Sequence, residues 1–137
     1  MANYKSIAGT AVVALALSFA SPVWADDERA ACAALVESRS ALWSMIDAKD
    51  KSAQDALYAK VQAASNKLDS VLAGMTGTEV KVAGDFKAVW DQFKETRENE
   101  IIPAIRNGDS KYAKKIAGGV QIDRLARMWD IMSCKAR

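Results

Sequence analysis

The stretch that decides the fold is Asp85–Cys134, DFKAVWDQFKETRENEIIPAIRNGDSKYAKKIAGGVQIDRLARMWDIMSC. Phe86, Val89/Trp90, Phe93, Ile101 and Ala104/Ile105 recur at the spacing of one helix face, with Thr96 and Arg97 in a gap. Pro103 has no N–H to donate, and its ring meets the carbonyl four residues earlier, which predicts a kink in the last turns. At Asn107-Gly108 the pattern meets a left-handed stop, and Asp109 or Ser110 is placed to cap a new start. Beyond it, Tyr112/Ala113 and Ile116 define one stripe; Ile122, Leu125, Trp129 and Met132 define the next. Gly118-Gly119 sits at the change of phase, either as a close backbone approach or as a deformable point.

Working outward, the upstream half carries a matching pair. Asp26–Lys49 opens on acids, favourable at a helix N-terminus, and its stripe reads Cys32, Leu35/Val36, Leu42/Trp43, Met45/Ile46 with Arg39 in the gap. Asp50-Lys51-Ser52 is the turn. Ser52–Ala73 carries Leu57, Val61, Ala64, Leu68 and Val71/Leu72 at near-heptad spacing. The loop Gly74–Thr78 follows, with Thr76 and Glu79 spaced as a capping box. The third helix then spans Glu79–Arg106 and the fourth Ser110 to Lys135. Four helices, short loops and no strand pattern predict an all-α fold, an antiparallel up-down-up-down four-helix bundle over residues 26–137.

Residues 1–25 read as a secretory signal peptide: a basic Lys5, an apolar run Ile7–Phe19, and the small-residue site Val23-Trp24-Ala25. Cleavage is expected after Ala25, and the compartment is periplasmic or secreted. The mature chain has no second apolar run of spanning length, so no membrane span is expected. Losing Lys5 leaves basic and acidic residues nearly balanced, which argues against a nucleic-acid partner. In an oxidising compartment Cys32 and Cys134 are expected to form a disulfide. Histidine is absent, which removes most general-base catalysis and most haem and metal ligation. No catalytic residue, metal or cofactor is expected, and the chain does not read as an enzyme.

Reflecting residue numbers about turns near 50, 76 and 108 aligns the levels of the bundle. Cys32 then lies level with residues 68, 84 and 132, which puts Cys134 within reach. Arg39 comes level with Val61, Trp90/Asp91 and Arg124/Leu125; Arg97 comes level with Ile46, Ala53 and Gly119. A guanidinium in an apolar stripe must be paired, must snorkel outward, or must face a ligand. Asp91 and Asp123 are the expected counter-charges for Arg39. The alternative is an anionic ligand held by Arg39 with Arg97 or Arg124, walled by Trp43 or Trp90.

The run Phe86-Lys87-Ala88-Val89-Trp90-Asp91-Gln92-Phe93-Lys94, then Arg97-Glu98, then Arg106-Asn107-Gly108-Asp109 before Tyr112-Ala113, resembles the four-helix-bundle sensory domain of methyl-accepting chemotaxis receptors. That resemblance implies a periplasmic ligand-sensing bundle, commonly dimeric, holding small ligands between helices with arginines. Arg39, and more weakly Arg124, occupy comparable places. Those receptors continue into a membrane span and cytoplasmic modules, which this chain, ending at Arg137, is not expected to do. Exported haem bundles such as cytochrome c′ are similar in fold, but Cys134-Lys135-Ala136-Arg137 keeps only the first cysteine of their C-x-x-C-H. The expectation is a freestanding sensor-like module that binds a small anionic ligand or docks on a membrane receptor. The alternative is a periplasmic structural, stress or protein-interaction bundle without a small-molecule site.

Overall fold

A computed structural model describes residues 23–134, so all but the last three residues of the signal peptide read over 1–25, and the last three residues of the chain, lie outside the described residues. Every described element is helical: α1 (Val23–Asp47), α2 (Lys51–Gly74), α3 (Glu79–Thr96), a π-turn (Arg97–Ile101), α4 (Ile102–Arg106), α5 (Ser110–Ala117) and α6 (Val120–Met132). Helix α3, the π-turn and α4 form one rod, and α5 with α6 form another, so the predicted all-α bundle of four rods is what the chain builds. No described helix is long and apolar enough to cross a membrane.

Local chemistry explains the boundaries. Asp50 accepts from Ala53 N at 2.8 Å and starts α2, and Asp109 accepts from Tyr112 N at 3.0 Å and starts α5. Gly108 takes φ +78°, while Asp109 N reaches back to Ala104 O at 2.8 Å, closing α4 as a glycine stop should. The capping box expected at Thr76 does not form. Helix α3 starts instead from Thr78, which makes no side-chain cap, and Glu79 N donates to the backbone oxygen of Thr76 at 3.3 Å. At Gly119 a Cβ would stand 2.7 Å from Lys115 O, and at Gly118 it would stand 3.0 Å from Lys114 O. The close-approach reading of this pair therefore holds, and the fourth rod breaks there.

Cross-helix pairs run in opposite senses along neighbouring rods. Ser38 meets Ser65 on α2, while Gln54, farther back on α2, reaches Ala48. On the next boundary Asp69 meets Trp90, Tyr58 meets Glu98 and Asp55 meets Arg106. Reflection about residue 76 would have set Asp69 opposite Ala83, so α2 and α3 are out of the expected register. Met75, in the link between them, is itself buried in the core with Leu72 and Ala83.

Two apolar clusters fill the interior. One gathers Leu35, Leu68, Phe86, Trp90, Phe93, Leu125, Met128 and Met132. The other gathers Leu42, Met45, Val61, Ile101, Ile102 and Ile105. Cys32 and Cys134 are joined, with Cα atoms 5.7 Å apart, and fasten the end of α6 to α1 beside the first cluster. The expected bridge is present.

Closing a loop of this length contributes about 4 to 5 kcal/mol in the chain-entropy account. Cys32→Ser with Cys134→Ser should lower the thermal midpoint by roughly 10 to 20 °C, read by far-ultraviolet circular dichroism. An unchanged midpoint would mean that the tie constrains nothing in the unfolded chain.

Candidate functional site

Between the two apolar clusters lies a polar layer built around Arg97. Among the buried residues of its rod, Phe93, Arg97, Ile101 and Ile105 form one row, each four residues from the next. An α-helix has 3.6 residues per turn, so each such step over-rotates by about 40° and three would carry the face well round the rod. The π-turn Arg97–Ile101 absorbs the extra residue and keeps all four positions pointing inward. It also stands just ahead of Pro103. The predicted distortion is thus a widened turn upstream of the proline.

Arg97 is 2% exposed. Two small residues make its room, Ser38 on α1 and Ser65 on α2, both buried and 3.3 Å apart at their hydroxyls. Its Nη1 donates to Ser65 Oγ at 2.8 Å and to Ser38 Oγ at 3.3 Å. Ser65 in turn donates to Val61 O at 2.7 Å. The charge is met by Glu98: Nε donates to Glu98 Oε1 at 2.9 Å, and Nη2 lies 2.9 Å from that same oxygen. Successive helix positions do not face each other, so the length of the arginine side chain lets it fold back to its neighbour.

Glu98 cannot offer its second oxygen. Oε2 accepts from Tyr58 Oη at 2.8 Å, and Gln62 Nε2 donates to Tyr58 Oη at 2.6 Å and to Glu98 Oε1 at 3.3 Å. Burial, and then the bond to Glu98, push the Tyr58 phenol above its ordinary range. One turn along, Asp69 accepts from Trp90 Nε1 at 2.7 Å and from Lys94 Nζ at 2.9 Å. The Trp90 ring receives Lys94 at 5.4 Å and Arg97 at 5.8 Å, both within cation–π range. An open cleft of about 470 Å³ runs over this layer between α2 and α3, with Tyr58, Gln62, Lys94, Glu95, Arg97 and Glu98 on its walls.

The five residues singled out from the sequence therefore separate. Trp90 and Arg97 meet. Arg39 does not join them: it is half-buried on α1 and packs over the Trp43 ring at 5.9 Å. The inward slot at that level belongs to Ser38, three residues after Leu35 and four before Leu42. Asp91, the expected partner of Arg39, pairs with Lys87 instead, which holds its carboxyl below the usual range. Arg97 faces Ser38 and Ser65, not Ile46 and Ala53, because α2 and α3 are out of the expected register. Toward the fourth rod the count holds, with Phe93 meeting Gln121 and Thr96 meeting Arg124. Arg124 donates to Thr96 Oγ1 at 2.6 Å and to Gln121 Oε1 at 3.0 Å. The buried Gln121 amide closes that contact by donating to Phe93 O at 2.9 Å.

Ser38, Ser65, Tyr58, Gln62, Asp69 and Glu98 were not singled out as a site. The signal for them was present in the step of four through Arg97 and in the two serines set in apolar stripes.

No protein-family model, curated protein or solved structure matches the chain.

Removing Glu98 leaves the buried guanidinium unpaired in the interior, whereas removing the Arg97 charge leaves a carboxylate that is one-third exposed and can be met by water. Glu98→Ala should lower the unfolding free energy by about 2 to 3 kcal/mol, while Arg97→Met stays within about 1 kcal/mol of the parent. Urea denaturation followed by tryptophan emission measures both, and equal losses would contradict this asymmetry.

Proposed function

We propose that the protein is an exported, non-enzymatic, sensor-like bundle that binds a small carboxylate-bearing ligand in the α2–α3 cleft, with Arg97 as the recognising group. One observation carries the proposal. The buried guanidinium lies against the cleft and turns both Nε and Nη2 to a single oxygen of Glu98. A guanidinium prefers two oxygens in a planar fork, and a free carboxylate supplies both where Glu98 supplies one. Tyr58 provides an aromatic wall of the cleft, and Gln62 and Lys94 provide further donors there. Export is supported by the leader-like first 25 residues and agrees with the Cys32–Cys134 bridge. The likeness of the Trp90–Arg97 stretch to chemoreceptor sensory domains supports ligand sensing, with the site moved from Arg39 to Arg97.

A second reading, a protein-interaction bundle or a module docking on a membrane receptor, is favoured by a different observation. Both cations of the cleft already have carboxylate partners, Lys94 with Asp69 and Arg97 with Glu98. The two readings part on a thermal-shift series with acetate, succinate, benzoate and citrate, each compared with sodium chloride of equal ionic strength. Ligand binding at 100 times Kd stabilises by about 2.7 kcal/mol, so a bound carboxylate should raise the midpoint by several degrees, and Arg97→Met should abolish the rise. A midpoint indifferent to all four acids would favour the interaction bundle.

A further inference from the structure

Glu98 stands where a ligand's carboxylate would stand, and its other attachments lie on a different helix. On the proposal that Arg97 receives a carboxylate, we infer that Glu98 is a built-in competitor, an internal carboxylate that occupies the seat when no ligand is bound and couples its vacancy to α2. The geometry gives three reasons. Glu98 Oε1 takes both Nε and Nη2 of Arg97, the two nitrogens an incoming carboxylate needs. Its side chain is one-third exposed while the arginine is 2% exposed, so of the two the glutamate is free to swing into solvent. Its remaining bonds go to Tyr58 and Gln62 of α2, not to the rod that bears it.

Arg97 cannot follow the glutamate outward. Ser38 and Ser65 hold Nη1 from two other helices, and the π-turn fixes the backbone beneath it. An arriving carboxylate therefore exchanges one acceptor for another at a stationary cation. The displaced Glu98 then leaves Tyr58, whose hydroxyl keeps Gln62 as its partner. At this level two ties join α2 to the third rod: Glu98 to Tyr58 and Gln62, and Arg97 to Ser65. Displacement removes the Glu98 tie and leaves the others, Arg97 with Ser65, Asp69 with Lys94 and Asp55 with Arg106, in place. The result is a local release of α2 confined to the Tyr58–Gln62 turn. Ligand occupancy is thereby converted into a change between two helices.

The inference has consequences that a merely structural ion pair lacks. Glu98→Gln keeps the side-chain shape and the contact with Tyr58 but removes the competing charge. It should raise carboxylate affinity about tenfold, since the ligand then meets an uncompensated guanidinium. Tyr58→Phe frees Glu98 from α2 without touching its charge, and should raise affinity by a smaller factor. Isothermal titration with succinate and with benzoate measures both variants against the parent, and circular dichroism confirms that each is folded. Hydrogen exchange on the parent supplies an independent reading: bound benzoate should speed exchange in the Tyr58–Gln62 amides while leaving the last turn of α2 unchanged. Equal or weaker binding by Glu98→Gln, with the parent binding normally, overturns the competitor and leaves Arg97 as the receptor. Absence of binding by the parent and both variants overturns the competitor and the ligand-binding proposal together. Should Glu98→Gln fail to fold, an affinity unchanged in Tyr58→Phe with unaltered exchange in the parent overturns it as well.

Discussion

A guanidinium that has left water needs its charge met and its N–H groups accepted inside the protein, and the middle of this bundle is arranged to meet that need for Arg97. Ser38 on α1, Ser65 on α2 and Glu98 beside it on the π-turn each supply an acceptor. None of these is a large apolar residue, so the layer interrupts the hydrophobic interior and divides it into the clusters around Phe86 and around Ile101. The cation thus fixes the level at which three rods must align. Apolar side chains tolerate small displacements along a bundle axis. A hydrogen-bonded arginine tolerates far less, because a slip leaves a buried donor without an acceptor.

The boundary between α2 and the third rod follows from the same constraint. Its described side-chain bonds and ion pairs include Asp55 with Arg106, Tyr58 with Glu98, and Asp69 with Trp90 and Lys94. Exposed ion pairs contribute little each, of the order of a few tenths of a kcal/mol. The boundary is therefore positioned by polar contacts more than it is stabilised by them, and it leaves the open cleft over Arg97. The α1–α6 side is tied covalently by Cys32–Cys134. A bundle fastened on one side and spanned by polar contacts on the other has a defined place where it can yield.

The helices, their stops and the disulfide were legible in the sequence because they depend on local chemistry and on counting. Gly108 in its left-handed turn, Asp109 as a cap and the apolar stripes each follow from a few neighbouring residues. The site was legible only in part. Trp90 and Arg97 were named, but Arg39 was set in an inward slot that belongs to Ser38, since a one-position error on α1 rotates the face by about 100°. The register of α2 against α3 could not be counted from the turn, because it shows only in contacts across the boundary such as Asp69 with Trp90 and Tyr58 with Glu98. Even so, a serine within each of two apolar stripes and an arginine four residues from apolar neighbours on both sides are readable signs of a polar layer.

The account rests on Arg97 being withdrawn from solvent and held by Glu98, and the exchange of its own Nε–H proton reports on that most directly. Side-chain arginine nitrogen–proton spectra, with the Arg97 signal assigned by its loss in Arg97→Lys, should show its Nε–H exchanging with water far more slowly than that of the exposed Arg127. The signal should also move when Glu98 is replaced by glutamine. Exchange as fast as that of Arg127, with no response to the change at Glu98, would place the guanidinium in water and contradict the account.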